Sequence, residues 1–313
     1  MKDNPREIAD GVLFLRTMMV NLFIVRQGTG WVLVDCGLRG YHETIRRAAR
    51  QYVGGTHPPL GVVLTHAHFD HVGSLPRLLE EWDVPVYAHP LERPYLTGLS
   101  SYPPPDPLVG GGSMALLSPL YPRGPIDIGH RLYDVTEPGG LAVMSDWRWV
   151  HTPGHCAGHI GLFRERDRTL LCGDALTTTK QESALAVATQ RREMHGPPAY
   201  FTQDWRAARE SAGRLAALEP EVLASGHGEP WSGADMRRAL RDLASHFTER
   251  EVPSFGRYVR HPALTDARGI VSLPPDPLPK VIAGAAVAAA LTWSYARGRR
   301  AHTAPPAHRR RTA

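Results

Sequence analysis

The chain has 313 residues, 42% hydrophobic and 21% charged, which suits a soluble globular protein with one large domain or two modest ones. Thirty glycines and 28 prolines point to many turns or long functional loops rather than to disorder throughout. The net charge of +5 sits on a tail: six arginines follow from Arg297 onward with no acid, and without them 30 basic residues face 31 acidic ones, which argues against a nucleic-acid groove on the folded body.

The chain opens on strands at Val12–Leu15, Val20–Val25 and Trp31–Val34, punctuated by Gly28, Gly30 and Gly37, a meander that ends at Asp35. Residues 41–53 have helical spacing, with Ile45, Ala48 and Ala49 on one side and arginines on the other. The apolar run Gly61–Thr65 predicts a buried strand, followed at once by HAHFDH and a helix over Leu75–Glu81, whose Pro76 suits a first turn. Val84–Tyr87 is another strand. Residues 101–124 are too rich in proline and glycine for regular structure and too apolar for a plain linker; they read as a lid or binding loop, or as an ordered surface excursion.

The second half repeats the grammar. Trp147–His151 leads into TPGHCAGH, Ile160–Phe163 and Thr169–Cys172 are strands, and the latter runs into GDA. Amphipathic helices are predicted over 204–218 and 233–247, with a strand at Glu221–Ala224 leading into SGHGEP. Strands and helices in two similar halves fit an α+β, four-layer αββα sandwich. A domain over residues 1–250 is expected, with a C-terminal extension, 251–313, that carries an apolar segment and the basic tail. The apolar segment, 281–296, is shorter than the roughly 20 residues of a usual bilayer span, so it reads as a helix docked on the domain or lying weakly on a membrane surface.

Sixteen histidines are many for this length. His66, His68, Asp70 and His71 fall within six positions at the end of a buried strand. Alternate residues of extended backbone point the same way, so His66 and His68 can bind one metal together, while Asp70 and His71 can face a second as the chain turns toward the helix. Imidazole and carboxylate donors suit zinc, with iron or manganese as alternatives. Cys36, Cys156 and Cys172 form no secreted framework, and the N-terminal stretch does not read as a secretory signal, so a cytoplasmic protein with reduced thiols is expected, peripheral to the membrane if the apolar segment lies on its surface.

The stretch THAHFDH resembles the HxHxDH signature of the metallo-β-lactamase superfamily, and HTPGHCAGHIGLF, LLCGDAL and ASGHGEP recur in that family's order over roughly residues 10–250. The resemblance implies that His155 completes a first metal site with His66 and His68. It further implies that His227 completes a second with Asp70 and His71, and that Asp174 bridges the two ions. Asp70 or Asp174 would orient the nucleophile or carry a proton to the leaving group. Fold alone does not fix function. The resemblance to glyoxalase II and the acyl-homoserine lactonases implies a binuclear hydrolase whose metal-bridging hydroxide cleaves a thioester, ester or lactone of a small acyl substrate. However, ALTTT after Asp174 lacks the tyrosine that the lactonases place shortly after this aspartate. A mononuclear-iron persulfide dioxygenase and a phosphodiesterase or nuclease of the same fold are the alternatives. His159 reads as hydrogen-bonding support or packing, His151 and His89 as structural, and Asp35 as support for the metal cluster or as a strand-end cap. Cys156 and Cys172 need no catalytic role, and Tyr200 either offers its hydroxyl to a substrate or packs as an aromatic.

Overall fold

A computed structural model describes residues 5–135 and 139–283. The chain divides after Pro274, and the first unit carries the candidate metal-binding residues. Two sheets carry it. The first has seven strands in sequence order: β1 (Arg6–Ala9), β2 (Val12–Thr17), β3 (Val20–Gln27), β4 (Gly30–Val34), β5 (Gly61–Val63), β6 (Val86–Ala88) and β7 (Leu132–Asp134). Strands β1 to β4 pair antiparallel, the expected meander, and β4 to β7 pair parallel. The second sheet contains β8 (Trp147–His151), β9 (Ile160–Arg164), β10 (Thr169–Gly173), β11 (Val222–Ser225) and β12 (Trp231–Ser232) in the order β12-β11-β10-β9-β8, with β10 and β11 parallel. A hairpin of β13 (Leu264–Asp266) and β14 (Gly269–Ser272) follows.

The helices are α1 (His42–Val53), α2 (Leu75–Leu79), α3 (Arg93–Leu96), α4 (Ser113–Leu117), α5 (Ala184–Thr189), α6 (Trp205–Ala217), α7 (Ala234–Ser245) and α8 (Phe247–Glu251). Strand parity explains how they layer. Along β2, Leu13 and Leu15 pack with Ile45, Ala48 and Ala49 of α1 and with Leu75 and Leu78 of α2. Val12 and Phe14, one position out of step, pack instead against Trp147, Ile160 and Leu162 of the second sheet. The outer face of the second sheet, with Phe163 and Leu170, is covered by Ala208, Ala212 and Leu215 of α6 and by Met236 and Leu240 of α7. This is the αββα sandwich.

The parallel strands matter most for function, because each ends at the same edge and hands its next residues to one place. Asp35 follows β4, His66–His71 follow β5 and Glu92 comes shortly after β6; in the second sheet His155 follows β8, Asp174 follows β10 and His227 follows β11. Asn21 at the start of β3 stitches the two sheets there, its N–H donating to Gly226 O at 2.8 Å and its side-chain amide to Ser225 O at 2.9 Å.

Three differences from the sequence reading have physical causes. The Pro/Gly-rich stretch 101–124 contains a short helix, α4, and is not a free flap. Met114 N–H donates to Glu182 O at 3.1 Å, Asp106 N–H to Tyr200 O at 2.8 Å, and Tyr258 Oη to Pro104 O at 2.7 Å. The predicted helix over 233–247 breaks near His246 into α7 and α8. The two-to-four-residue strands β1, β7 and β12 are too short to show a period. Of the apolar segment 281–296, residues 284–296 lie outside the described residues, as does the basic tail; among the described residues no helix is long and apolar enough to cross a membrane.

Candidate metal centre

All seven of the expected metal-binding residues converge at the shared strand edge. His66, His68 and His155 offer nitrogen atoms within 4.8 Å of one another, as do the donors of Asp70, His71 and His227. Asp174 lies between the trios: one carboxylate oxygen is 3.5 Å from His71 Nε2, and the other is 3.2 Å from His227 Nε2 and 3.6 Å from His155 Nε2. Six of the seven are almost fully buried, and Asp70, whose side chain is 15% exposed, faces the open side.

Local chain geometry makes the convergence possible. Gly226 must lack a side chain, since a Cβ there would strike Asp174 Oδ1 and His71 Cε1. Gly173, with φ +52°, turns the chain out of β10 in the left-handed region that glycine adopts without strain, and a Cβ there would collide with the His159 ring.

Three of the five imidazoles are oriented from behind. His66 Nδ1 lies 3.1 Å from Thr65 Oγ1, His71 Nδ1 lies 2.9 Å from Asp35 Oδ2, and His227 Nδ1 lies 3.0 Å from the Met19 carbonyl. Asp35 also accepts from Thr65 N–H at 2.8 Å and from its hydroxyl at 2.7 Å, so it does more than finish a strand: it holds the residue before His66 and the ring of His71. His159 accepts the Asp174 N–H at Nε2 (2.9 Å), with Nδ1 2.7 Å from Thr152 Oγ1, which places it behind the bridging aspartate rather than beside the other donors.

Electrostatics separate the trios. Burial drives His66 and His155 well below the ordinary imidazole range and His68 down to about 3, with the neighbouring histidines adding to the effect. Burial pushes His71 and His227 the same way, but Asp174 and Asp70 reverse the sign and raise both, with Asp35 adding to His71. Asp174 is itself held low: burial opposes its ionisation, yet His227 and His71 outweigh it.

A cation fits this donor set. His66 Nε2, His71 Nε2 and Asp174 Oδ1 are buried without a hydrogen-bond partner, and they belong to residues whose donor atoms lie within 4.8 Å of one another. Buried polar atoms normally find partners, and lone pairs gathered this closely, one imidazole from each trio with the carboxylate between them, are satisfied by divalent cations. His68 Nδ1 and His155 Nε2 approach to 2.9 Å, which either a shared proton or a shared cation satisfies.

Comparison with known proteins supplies the family. The sequence profile of the Metallo-beta-lactamase superfamily matches residues 15–227. The chain belongs to the metallo-beta-lactamase superfamily. Within it, the chain is 42% identical over 245 residues to the probable metallo-hydrolase YflN of Bacillus subtilis (strain 168), covering 77% of this chain and 93% of that one. It is 29% identical over 210 residues to the probable metallo-hydrolase YybB of the same organism, covering 67% and 81%. Among solved structures, an archaeal metallo-beta-lactamase superfamily protein from Sulfolobus tokodaii aligns with a TM-score of 0.52 at 19% identity over 76% of this chain and 84% of that one, a likeness of fold.

Sequence reasoning missed one buried group in this superfamily member. Glu92, with no exposed surface, accepts hydrogen bonds from Ala67 N–H (3.0 Å) and the Tyr102 hydroxyl on one oxygen, and from Gly158 N–H (3.1 Å) and Cys156 Sγ (3.4 Å) on the other. It thereby ties the backbone between His66 and His68 to the loop that carries His155. Burial raises its carboxyl above the ordinary range against the pull of those hydrogen bonds, and raises the Cys156 thiol further. A charged residue between Pro90 and Pro94 after β6 was the available signal, but Ala67, Cys156 and Gly158 lie far from it in sequence. The remaining polar candidates divide cleanly. His89 stacks on His151 at 4.4 Å and caps Leu91 N–H, away from the seven donors. Tyr200 is buried beside Tyr121 and Phe201 and lines the cavity over the centre. All three cysteines are free and buried.

Proposed function

We propose that the protein is a binuclear metal-dependent hydrolase of the glyoxalase II and lactonase-like branch, which cleaves a thioester, ester or lactone of a small acyl substrate. The observation that carries this reading is the complete set of seven donors, split into two trios with Asp174 between them. Two divalent ions held there, zinc first among the choices, would supply a water of lowered pKa and polarisation of the substrate carbonyl.

The chain's own residues do the rest. His66, His68 and His155 would hold one ion and Asp70, His71 and His227 the other, with Asp174 placed between the two trios. Both carboxylates line the cavity, and Asp70 is the one placed to pass a proton to the leaving group, because its side chain is 15% exposed whereas Asp174 is 2% exposed. Thr65, Asp35, His159 and Glu92 keep the donor geometry fixed, so that little reorganisation is needed during turnover. Phe69, Tyr200 and Phe201 wall the open side and limit the water that reaches it.

The test is metal analysis of purified protein together with hydrolysis of model thioesters, esters and lactones. Two ions per chain and hydrolysis of at least one class are expected. One iron per chain with oxygen consumption on glutathione persulfide would overturn the reading. For the apolar C-terminal segment, equal partition of the full chain and of a version ending before Val281 in cell fractionation would remove a membrane-surface role.

A further inference from the structure

We propose that the substrate's acyl portion is an apolar chain or ring, seated in the cavity that opens directly over the metal centre. This deepens the hydrolase reading and rests on it. The cavity has a volume of about 1030 Å³ and has Asp70, Asp174, His68 and His227 in its wall. That is at or above the upper end of ordinary small-ligand pockets, far more than an acetyl group needs.

Its apolar walls come from several separate segments. The β2–β3 turn contributes Met18 and Met19, the loop after β4 contributes Leu38, the metal-binding loop contributes Phe69, the Pro/Gly-rich stretch contributes Tyr121, and the segment before α6 contributes Tyr200 and Phe201. Outside the metal donors, the lining groups that carry charge are Arg39, Arg77 and Glu80, all exposed. Arg77 and Glu80 pair with each other at 2.5 Å. Only Arg39 is left among them without an ion pair among the described residues. A peptide-like or multiply charged acyl group would therefore lose its hydration with few partners in return, which is costly, whereas an alkyl or aryl group loses nothing.

The wall is also built to hold its shape on one side and to adapt on the other. The stretch containing Tyr121 is tied down through Met114 N–H on Glu182 O and Asp106 N–H on Tyr200 O. Glu182 in turn accepts from Ala199 N–H at 2.7 Å, and a Cβ at Gly112 would collide with the Glu182 backbone, so the glycines let this stretch lie flat on its support. Lining the same cavity are Met18 and Met19 of the β2–β3 turn and Met114 of the stretch itself, unbranched side chains that fit themselves to ligands of different length. The consequence is a graded preference that rises with chain length rather than a sharp cut-off.

The experiment is a p-nitrophenyl ester series from acetate to decanoate, with one leaving group throughout, on metal-quantified protein. It is paired with binding of 1-octanol and of ethanol to the metal-free and metal-loaded chain by calorimetry. Each added methylene should raise kcat/KM about fourfold over the first few carbons, the ratio that ~0.8 kcal/mol per buried methylene implies. Octanol should bind both forms and ethanol neither. Met18→Glu and Leu38→Glu each set a carboxylate in the wall and should lower the octanoate-to-acetate ratio at least fivefold, with metal content and Tm confirming that the variants fold. Hydrolysis with a flat or falling chain-length profile, and no octanol binding, would overturn this inference and leave the hydrolase reading intact. Octanol binding with no ester, thioester or lactone hydrolysed would support the apolar cavity and overturn the hydrolase reading instead.

Discussion

The two trios differ in charge while sharing one carboxylate. His66, His68 and His155 form an all-imidazole set that burial keeps neutral, so its lone pairs are free without any proton being displaced. Asp70, His71 and His227 form a set in which carboxylates raise the imidazole pKa values, so a cation arriving there competes with protons more than at the first trio. Their supports differ accordingly. Behind the first trio stand a hydroxyl, Thr65 Oγ1, and the Glu92 brace under the backbone; behind the second stand Asp35 on His71 and the Met19 carbonyl on His227. The contrast teaches that the first trio is organised chiefly by shape and the second chiefly by charge.

The largest expected effect comes from removing what the trios share. Asp174→Ala should strip both sites, lowering kcat/KM on the best ester by roughly a thousandfold or more, with metal content well below that of the wild type. Next come the supports, which break the comparison one side at a time. Asp35→Asn should weaken the site of His71 about 10–100-fold and change the affinity of the all-histidine site far less, as read by stepwise metal titration. Glu92→Ala should do the reverse. It leaves Ala67 N–H and Gly158 N–H short of a shared acceptor, weakening the all-histidine site about 10–100-fold and costing about 1–3 kcal/mol of stability. Glu92→Gln keeps the shape and one acceptor oxygen, so it should recover part of both losses. Equal weakening of both sites by either change would erase the distinction.

The last contrast is the pH dependence of the metal-free protein, where the signs oppose. His66, His68 and His155 have depressed folded pKa values, so the unfolded chain takes up protons first. Their contribution is therefore full above about 6.5 and is lost as pH falls below it, by up to about 1.4 kcal/mol per group per pH unit. His71 and His227 have raised values, so their contribution is full below about 6.5 and is lost as pH rises through the folded pKa. In chelated protein, His68→Gln should flatten the fall of Tm between pH 7 and 5, and His71→Gln should flatten the fall above pH 7. The same slope change from both variants would contradict the charge difference.

Much of this was legible in the sequence because it is local. HAHFDH places four donors on one turn after a buried strand, and the PGH, GD and GHG segments each follow a strand whose end meets the same edge. The alternation in β2 and the face of α1 with Ile45, Ala48 and Ala49 follow from period alone. Glu92 escaped because two of its partners are backbone N–H groups, 25 and 66 residues away, which no side-chain pattern records, and the Cys156 thiol lies 64 residues away. The stretch 101–124 showed its composition but not its role, since what turns it into a cavity wall is the hydrogen bonding of Asp106 and Met114 to a segment that follows β10. Asp35 stood undecided between strand cap and support until the His71 ring was seen at 2.9 Å.

The most direct test of the account counts metal ions in catalytically active protein, wild type beside His227→Ala and His155→Ala. Two ions per chain are predicted for the wild type and close to one for each variant, with hydrolysis sharply reduced in both. A wild type that hydrolyses its ester with one ion per chain, and keeps that ion and that rate in His227→Ala, would contradict it.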